Sequence, residues 1–285
     1  MSDASSAGAR AADFAAGERR RFLRLAVLLV VLGVGGTALE LPLAVVLRGH
    51  PENLLDRAGV VIFLSLTLAV LAPLGLRIGS QIGFPGAPWI ASMLGAVGPR
   101  PALLDFVRSA AFYALATPLI AAVMLASVTL PSIAIARANH LPIPPLPAID
   151  TSAGATALLA LPVSIAAGIS EEIEFRLTLF ALLAATFGAL LPRRDNGHLS
   201  RGAILFAALA QSYVFGMMHL LPRAGPLYER PGFLLLSGLV IPQTWEGLIF
   251  THLYYVKGLE ASILAHAMMD FGLFVIVSIA MVARF

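Results

Sequence analysis

The stretch "GISEEIEFRLTLF", residues 168–180, holds three carboxylates and a guanidinium between two strongly apolar flanks. Glu172 and Arg176 are four residues apart, so on a helix they share a face and can pair directly. Glu171 lies about 100° further round, beside Phe175 and away from any cation nearby in sequence. A carboxylate in a half-dry cavity with no paired charge is suited to accept a proton from water, the task of a general base. Glu174 is expected toward the lipid headgroups. The plainest alternative makes Ser170 an N-cap and the three glutamates an acidic first turn. That reading explains the residue types but not the flanks "ATALLALPVSIAAGI" and "LTLFALLAATFGALL", which are apolar enough to lie in lipid. There an isolated carboxylate costs about 3 kcal/mol even on the lenient insertion scale, so it marks a functional site.

Two further strings place ionisable groups in apolar surroundings. "FGMMH" sets Phe215 and His219 one turn apart, and "HAMMD" does the same for His266 and Asp270. A single histidine near a helix end is commonly interfacial. Two ionisable groups on one face of an apolar helix must instead meet each other, water or a polar partner.

Glu-Glu-x-x-x-Arg, then Phe-x-x-x-His, then His-x-x-x-Asp, in that order on successive apolar segments, resembles the CPBP family. That family comprises the Rce1-type CAAX prenyl proteases and bacterial relatives linked to bacteriocin processing and immunity (the Abi group). The resemblance covers about residues 155–275 and implies an intramembrane glutamic endopeptidase. It implies that Glu171 and His219 activate a water, that His266 and Asp270 stabilise the oxyanion, and that Glu172, Arg176 and Phe215 support the site. Family members with Asn at the last position have a hydrogen-bond donor there; Asp270 donates only when protonated. The favoured reading has Asp270 orient His266, leaving that ring to meet the oxyanion. Counting along the helices at about 1.5 Å per residue puts His266 shallower than His219, which a break near Pro242 would repair.

No metal or other cofactor is expected. Zinc held by Glu171, His219 and His266 is the nearest rival, but no His-Glu-x-x-His string occurs. Neither Gly-x-Ser-Gly nor Gly-x-Gly-Asp occurs, so serine- and aspartyl-type intramembrane proteases lack support. A proton-coupled carrier would show matching broken helices in two halves, and no such symmetry is visible. A non-catalytic immunity factor that keeps the motifs is the third alternative.

The elements that must position these residues follow from composition. Of 285 residues, 59% are hydrophobic and 12% charged, against about 25% charged in soluble domains. Such a chain lacks the polar surface for water and calls for a bilayer. Apolar runs at 22–48, 58–78, 106–137, 153–191, 202–220, 232–256 and 260–283 predict an all-α polytopic membrane bundle of about seven to eight transmembrane helices. The run at 153–191 exceeds one simple crossing, and a second helix is expected to begin near "GIS". The Gly/Pro-broken segment 80–98 is predicted to be interfacial or re-entrant. Residues 1–20 look like a flexible cytoplasmic tail, 21–150 like N-terminal transmembrane helices, and 151–285 like the catalytic helical core. Basic clusters at 19–24 and 191–201 put the N-terminus in the cytoplasm and, with the resemblance, the chain in a bacterial inner membrane. The prolyl loop at 140–150 then lies outside. Basic residues gather at the ends of apolar runs, which fits a membrane surface and not nucleic acid. The expected partners are the lipid bilayer and a membrane-associated peptide or protein, either a prenylated CAAX chain or a leader peptide. His252, Tyr254 and Tyr255 read as an interfacial belt, and Gln211 and Ser212 as interhelical hydrogen-bonders. Glu246 could line a cavity. There is no cysteine, hence no disulfide and no thiolate chemistry.

Overall fold

A computed structural model describes residues 3–48, 54–94, 103–138, 140, 153–191, 198–220 and 233–282. Among them there is no strand. The helices are α1 (Asp3–Arg48), α2 (Leu54–Gln81), the short α3 (Pro88–Met93), α4 (Leu103–Met124), α5 (Leu130–Ala138), α6 (Ala153–Glu171), α7 (Ala181–Leu190), α8 (Arg201–Leu220), α9 (Phe233–Lys257) and α10 (Leu259–Val282). Wider π-helical windings join α4 to α5 (Leu125–Thr129) and α6 to α7 (Glu172–Phe180). The prolyl loop of 140–150 and most of the basic cluster of 191–201 fall outside the described residues.

The chain is an all-α membrane protein, and its surface shows why. Phe63, Leu66, Leu115 and Leu119 are each about two-thirds exposed or more, at 67, 65, 76 and 68%. Large apolar side chains displayed along whole helices need lipid around them. Among the described residues, four stretches are long and apolar enough to cross a bilayer: Ala16–Ala38, Val61–Gln81, Ala160–Leu190 and Arg201–His219. Helices α9 and α10, of 25 and 24 residues, are also of spanning length.

Two sequence expectations change. The segment read as a flexible tail is helical from Asp3 onward, because its alanines, arginines and Glu18 are strong helix formers. Nor does a new helix start at "GIS". One continuous rod runs from Ala160 to Leu190. Ser170 Oγ donates back to the Ala166 carbonyl at 3.0 Å, so Ser170 sits inside a helix and caps nothing. What changes after Glu171 is the winding, which opens to the π form through Phe180. Thr178 Oγ1 lies 2.9 Å from the carbonyl of Ile173, five residues back, and 2.9 Å from that of Leu71 in α2.

α2 touches the π segment closely. A Cβ on Gly75 would stand 2.5 Å from the Leu177 carbonyl oxygen, so only glycine permits this approach. α10 packs against α6 and α4, α8 against α9, and α1 against α2 and α6. A core of Leu29, Leu68, Ile173, Leu177, Phe180 and Tyr254 fills the space between α1, α2, the π segment and α9.

The segment after α2 turns through Gly83 (φ 81°) and Gly86 (φ 59°) into α3. Its polar backbone groups are met by protein: the Leu259 N–H donates to the Gly86 carbonyl at 2.8 Å, and the Ile90 N–H to Glu260 Oε1 at 2.7 Å. Irregular backbone at a membrane protein's edge needs such shielding. The elbow therefore braces the start of α10, the helix that carries His266.

Candidate active site

The end of α6, the π segment, α8 and α10 bring the chemistry-bearing residues together. Glu171 Oε2 stands 3.7 Å from His219 Nε2 and 3.8 Å from His266 Nε2. This oxygen has no hydrogen-bond partner among the described residues. The side chains of Glu171, His219 and Asp270 keep 27, 34 and 24% of their surface, whereas His266 keeps 2%, so three groups stay partly accessible and one ring is walled in.

The neighbouring carboxylate has the opposite environment. Glu172 is fully buried, pairs with Arg176 Nη1 at 3.0 Å, accepts from His266 Nδ1 at 2.8 Å and accepts from the Ser262 hydroxyl. The Arg176 guanidinium is also fully buried and lies over the Phe215 ring, 4.2 Å from its centroid, with Phe250 at 5.4 Å. A buried ion pair is tolerable only when its remaining surface is occupied, and here aromatic faces occupy it. Phe215 also touches the His219 ring at 4.4 Å and meets the His266 ring edge-on at 6.1 Å. The Phe-x-x-x-His string thus places an aromatic spacer among a guanidinium and two imidazoles.

The ring nitrogens are differentiated by their partners. His219 Nδ1 lies 2.9 Å from the Phe215 carbonyl, which only accepts. Nδ1 therefore carries a proton, and Nε2 faces Glu171. His266 donates Nδ1–H to Glu172, which leaves Nε2 between Glu171 and Asp270, whose Oδ2 is 3.5 Å away. The close contact that orients His266 comes from Glu172 rather than Asp270.

No break at Pro242 repairs the depth count, since α9 runs through it to Lys257, yet the Nε2 atoms of His219 and His266 both stand within 3.8 Å of Glu171 Oε2. Helical side chains lie over the turn that precedes them. The His219 ring folds back one turn onto the Phe215 carbonyl, which carries its Nε2 toward the level of His266. Counting residues locates Cα atoms, not ring nitrogens.

Three residues join the group that the motifs alone do not specify. Ser262 stands four residues before His266, which is itself four before Asp270, so the spacing Ser262–His266–Asp270 was a legible signal. Phe250 of α9 stacks on His266 with centroids 4.7 Å apart and planes 12° apart, a relation across helices that no spacing announces. Glu246 of α9 interacts electrostatically with Asp270, His266, Arg176 and Glu171, so it belongs to the pocket's charge set. Glu174 is half-buried and engaged with its surroundings. Among the described residues, no three His, Cys, Asp or Glu side chains are arranged to hold a metal ion.

Fold and site together define a polytopic α-helical membrane protein with a carboxylate–imidazole pocket buried in its helical core. Residues 153–272 match the family model described as Type II CAAX prenyl endopeptidase Rce1-like. Over this segment, which is less than half of the chain, the protein is similar to the Rce1-like endopeptidases, in agreement with the CPBP resemblance. The matched residues span α6 through most of α10 and contain every residue of the pocket. Neither curated proteins nor solved structures yield a match.

Proposed function

We propose that this protein is an intramembrane endopeptidase of the glutamic type, hydrolysing a peptide bond in a membrane-associated substrate. The observation that carries the reading is the convergence of Glu171 Oε2 on the Nε2 atoms of His219 and His266, at 3.7 and 3.8 Å, from three separate helical elements. Separations of this size are longer than direct hydrogen bonds. A water between Glu171 and His219 gives one O–H to the carboxylate and one to the His219 lone pair.

Glu171 then takes a proton as the water oxygen attacks the peptide carbonyl carbon. The carbonyl oxygen gathers negative charge and meets His266, which as imidazolium donates from Nε2 while Glu172 holds Nδ1. Collapse of the tetrahedral intermediate breaks the C–N bond, and the proton on Glu171 or His219 passes to the leaving amine. The products are a carboxylate and an amine. An oxyanion donor and a general base each supply several powers of ten in rate.

The substrate is a membrane-anchored chain, either a prenylated CAAX peptide or a leader peptide, and no nucleic acid takes part. The basic clusters at 19–24 and 191–201 favour an N-terminus on the cytoplasmic side of a bacterial inner membrane. No metal enters the scheme. The test is cleavage of farnesylated CAAX and leader peptides in detergent by wild type, Glu171→Gln and His219→Ala, each with and without a chelator. Cleavage that survives the chelator and is lost in both variants supports the glutamic reading. Loss on chelation supports a metal-dependent protease, and cleavage by Glu171→Gln refutes both.

A further inference from the structure

The hydroxyl of Ser262 faces acceptors only off its own helix, whereas Thr178 and Thr251 reach another helix while also bonding their own segment. Ser170, Thr117, Thr244 and Thr251 each donate to the carbonyl four residues back on their own helix. That is the ordinary way for a hydroxyl to satisfy itself inside a helix. Ser262 is fully buried, yet its Oγ reaches off its helix to Glu172 Oε2 and lies 3.0 Å from the carbonyl of Phe250 in α9.

Those two neighbours are the two residues that restrain His266. Glu172 accepts its Nδ1–H at 2.8 Å and so fixes which nitrogen is free for chemistry. Phe250 lies flat on its ring, 4.7 Å away and 12° from parallel, and so fixes the ring plane. Ser262 links the two restraints, its single hydroxyl proton lying between the carboxylate and the Phe250 carbonyl. Without that tie, Oε2 of a fully buried carboxylate loses its donor, and Glu172 is held through Oε1 alone, by Arg176 and His266.

We propose that Ser262 is a positioning residue which, through Glu172 and Phe250, holds the His266 ring in the tautomer and plane that aim Nε2 at the pocket. The kinetic part of this inference rests on the endopeptidase reading; the geometric part does not.

The test uses the full-length protein in detergent with 15N-labelled histidine, comparing wild type, Ser262→Ala, Ser262→Cys and Ser262→Thr. The readouts are the Nδ1–H resonance of His266, assigned by its loss in His266→Ala, and the kcat and KM for peptide cleavage. Removing the hydroxyl should shift or erase that resonance and lower kcat about tenfold with KM little changed, as for other residues that orient a reacting group. Ser262→Thr keeps a hydroxyl and should restore both. Ser262→Cys is close in size with a weak donor and carries the measurement should the alanine variant fail to fold. An unaltered His266 resonance and kcat in the Ala or Cys variant overturns the proposal. So does equal loss in Ala and Thr, which would mean that Ser262 matters only for packing. If wild type cleaves no peptide, the endopeptidase reading fails while the resonance still decides the role of Ser262.

Discussion

Glu171 and Glu172 are neighbours in the chain and opposites in environment: the first side chain keeps 27% of its surface and its Oε2 accepts no hydrogen bond among the described residues, while the second keeps none and is held by an arginine, a histidine and a serine. Their isosteric amides should therefore fail in different ways. Glu171→Gln should leave folding stability within about 0.5 kcal/mol of wild type while abolishing cleavage. Glu172→Gln leaves the Arg176 charge buried without its counter-ion and should cost about 3–5 kcal/mol. Thermal unfolding in detergent beside a cleavage assay separates the two. Equal destabilisation by both variants would contradict this division.

Arg176 should not tolerate lysine. Its guanidinium lies on Phe215 at 4.2 Å while pairing with Glu172 at 3.0 Å, and a planar group can do both at once. An ammonium keeps the charge but loses the stacked face and demands more hydration. Arg176→Lys is expected to lower stability by about 1–3 kcal/mol, read from the unfolding midpoint.

The close approach of α2 to the π segment gives a steric prediction. Gly75→Ala places a methyl 2.5 Å from the Leu177 carbonyl oxygen and 2.7 Å from Thr178 Oγ1, so a backbone must move. The expected cost is about 1–3 kcal/mol, with a fall in kcat because the shifted segment adjoins Glu171. Gly35→Ala is the control: it meets nothing within 4 Å and should be neutral or slightly stabilising.

His266 and Asp270 should separate in their kinetics. Removing the donor in His266→Ala should lower kcat by about 10²–10³. Asp270 Oδ2 is 3.5 Å from His266 Nε2 and does not supply the bond that orients the ring, so Asp270→Asn should retain cleavage within about tenfold. An Asn variant as inactive as His266→Ala would give Asp270 a larger share in the chemistry than its geometry supports.

The sequence alone determined the helical, lipid-embedded class, since hydropathy and the scarcity of charge are properties of composition and need no contacts. It also determined the pairing of Glu172 with Arg176 and the shared faces of Phe215 with His219 and of His266 with Asp270, because helical periodicity fixes those relations locally. Ser262 belonged to that readable set through its four-residue step to His266. What only the tertiary structure decided was everything that depends on one helix meeting another. The π winding after Glu171, the glycine contact that seats it on α2 and the stacking of Phe250 on His266 all arise where one element packs on another. Residue spacing sets directions around one helix axis. The distance between two axes, and the height at which a side chain ends, are set by the surfaces that interlock between them.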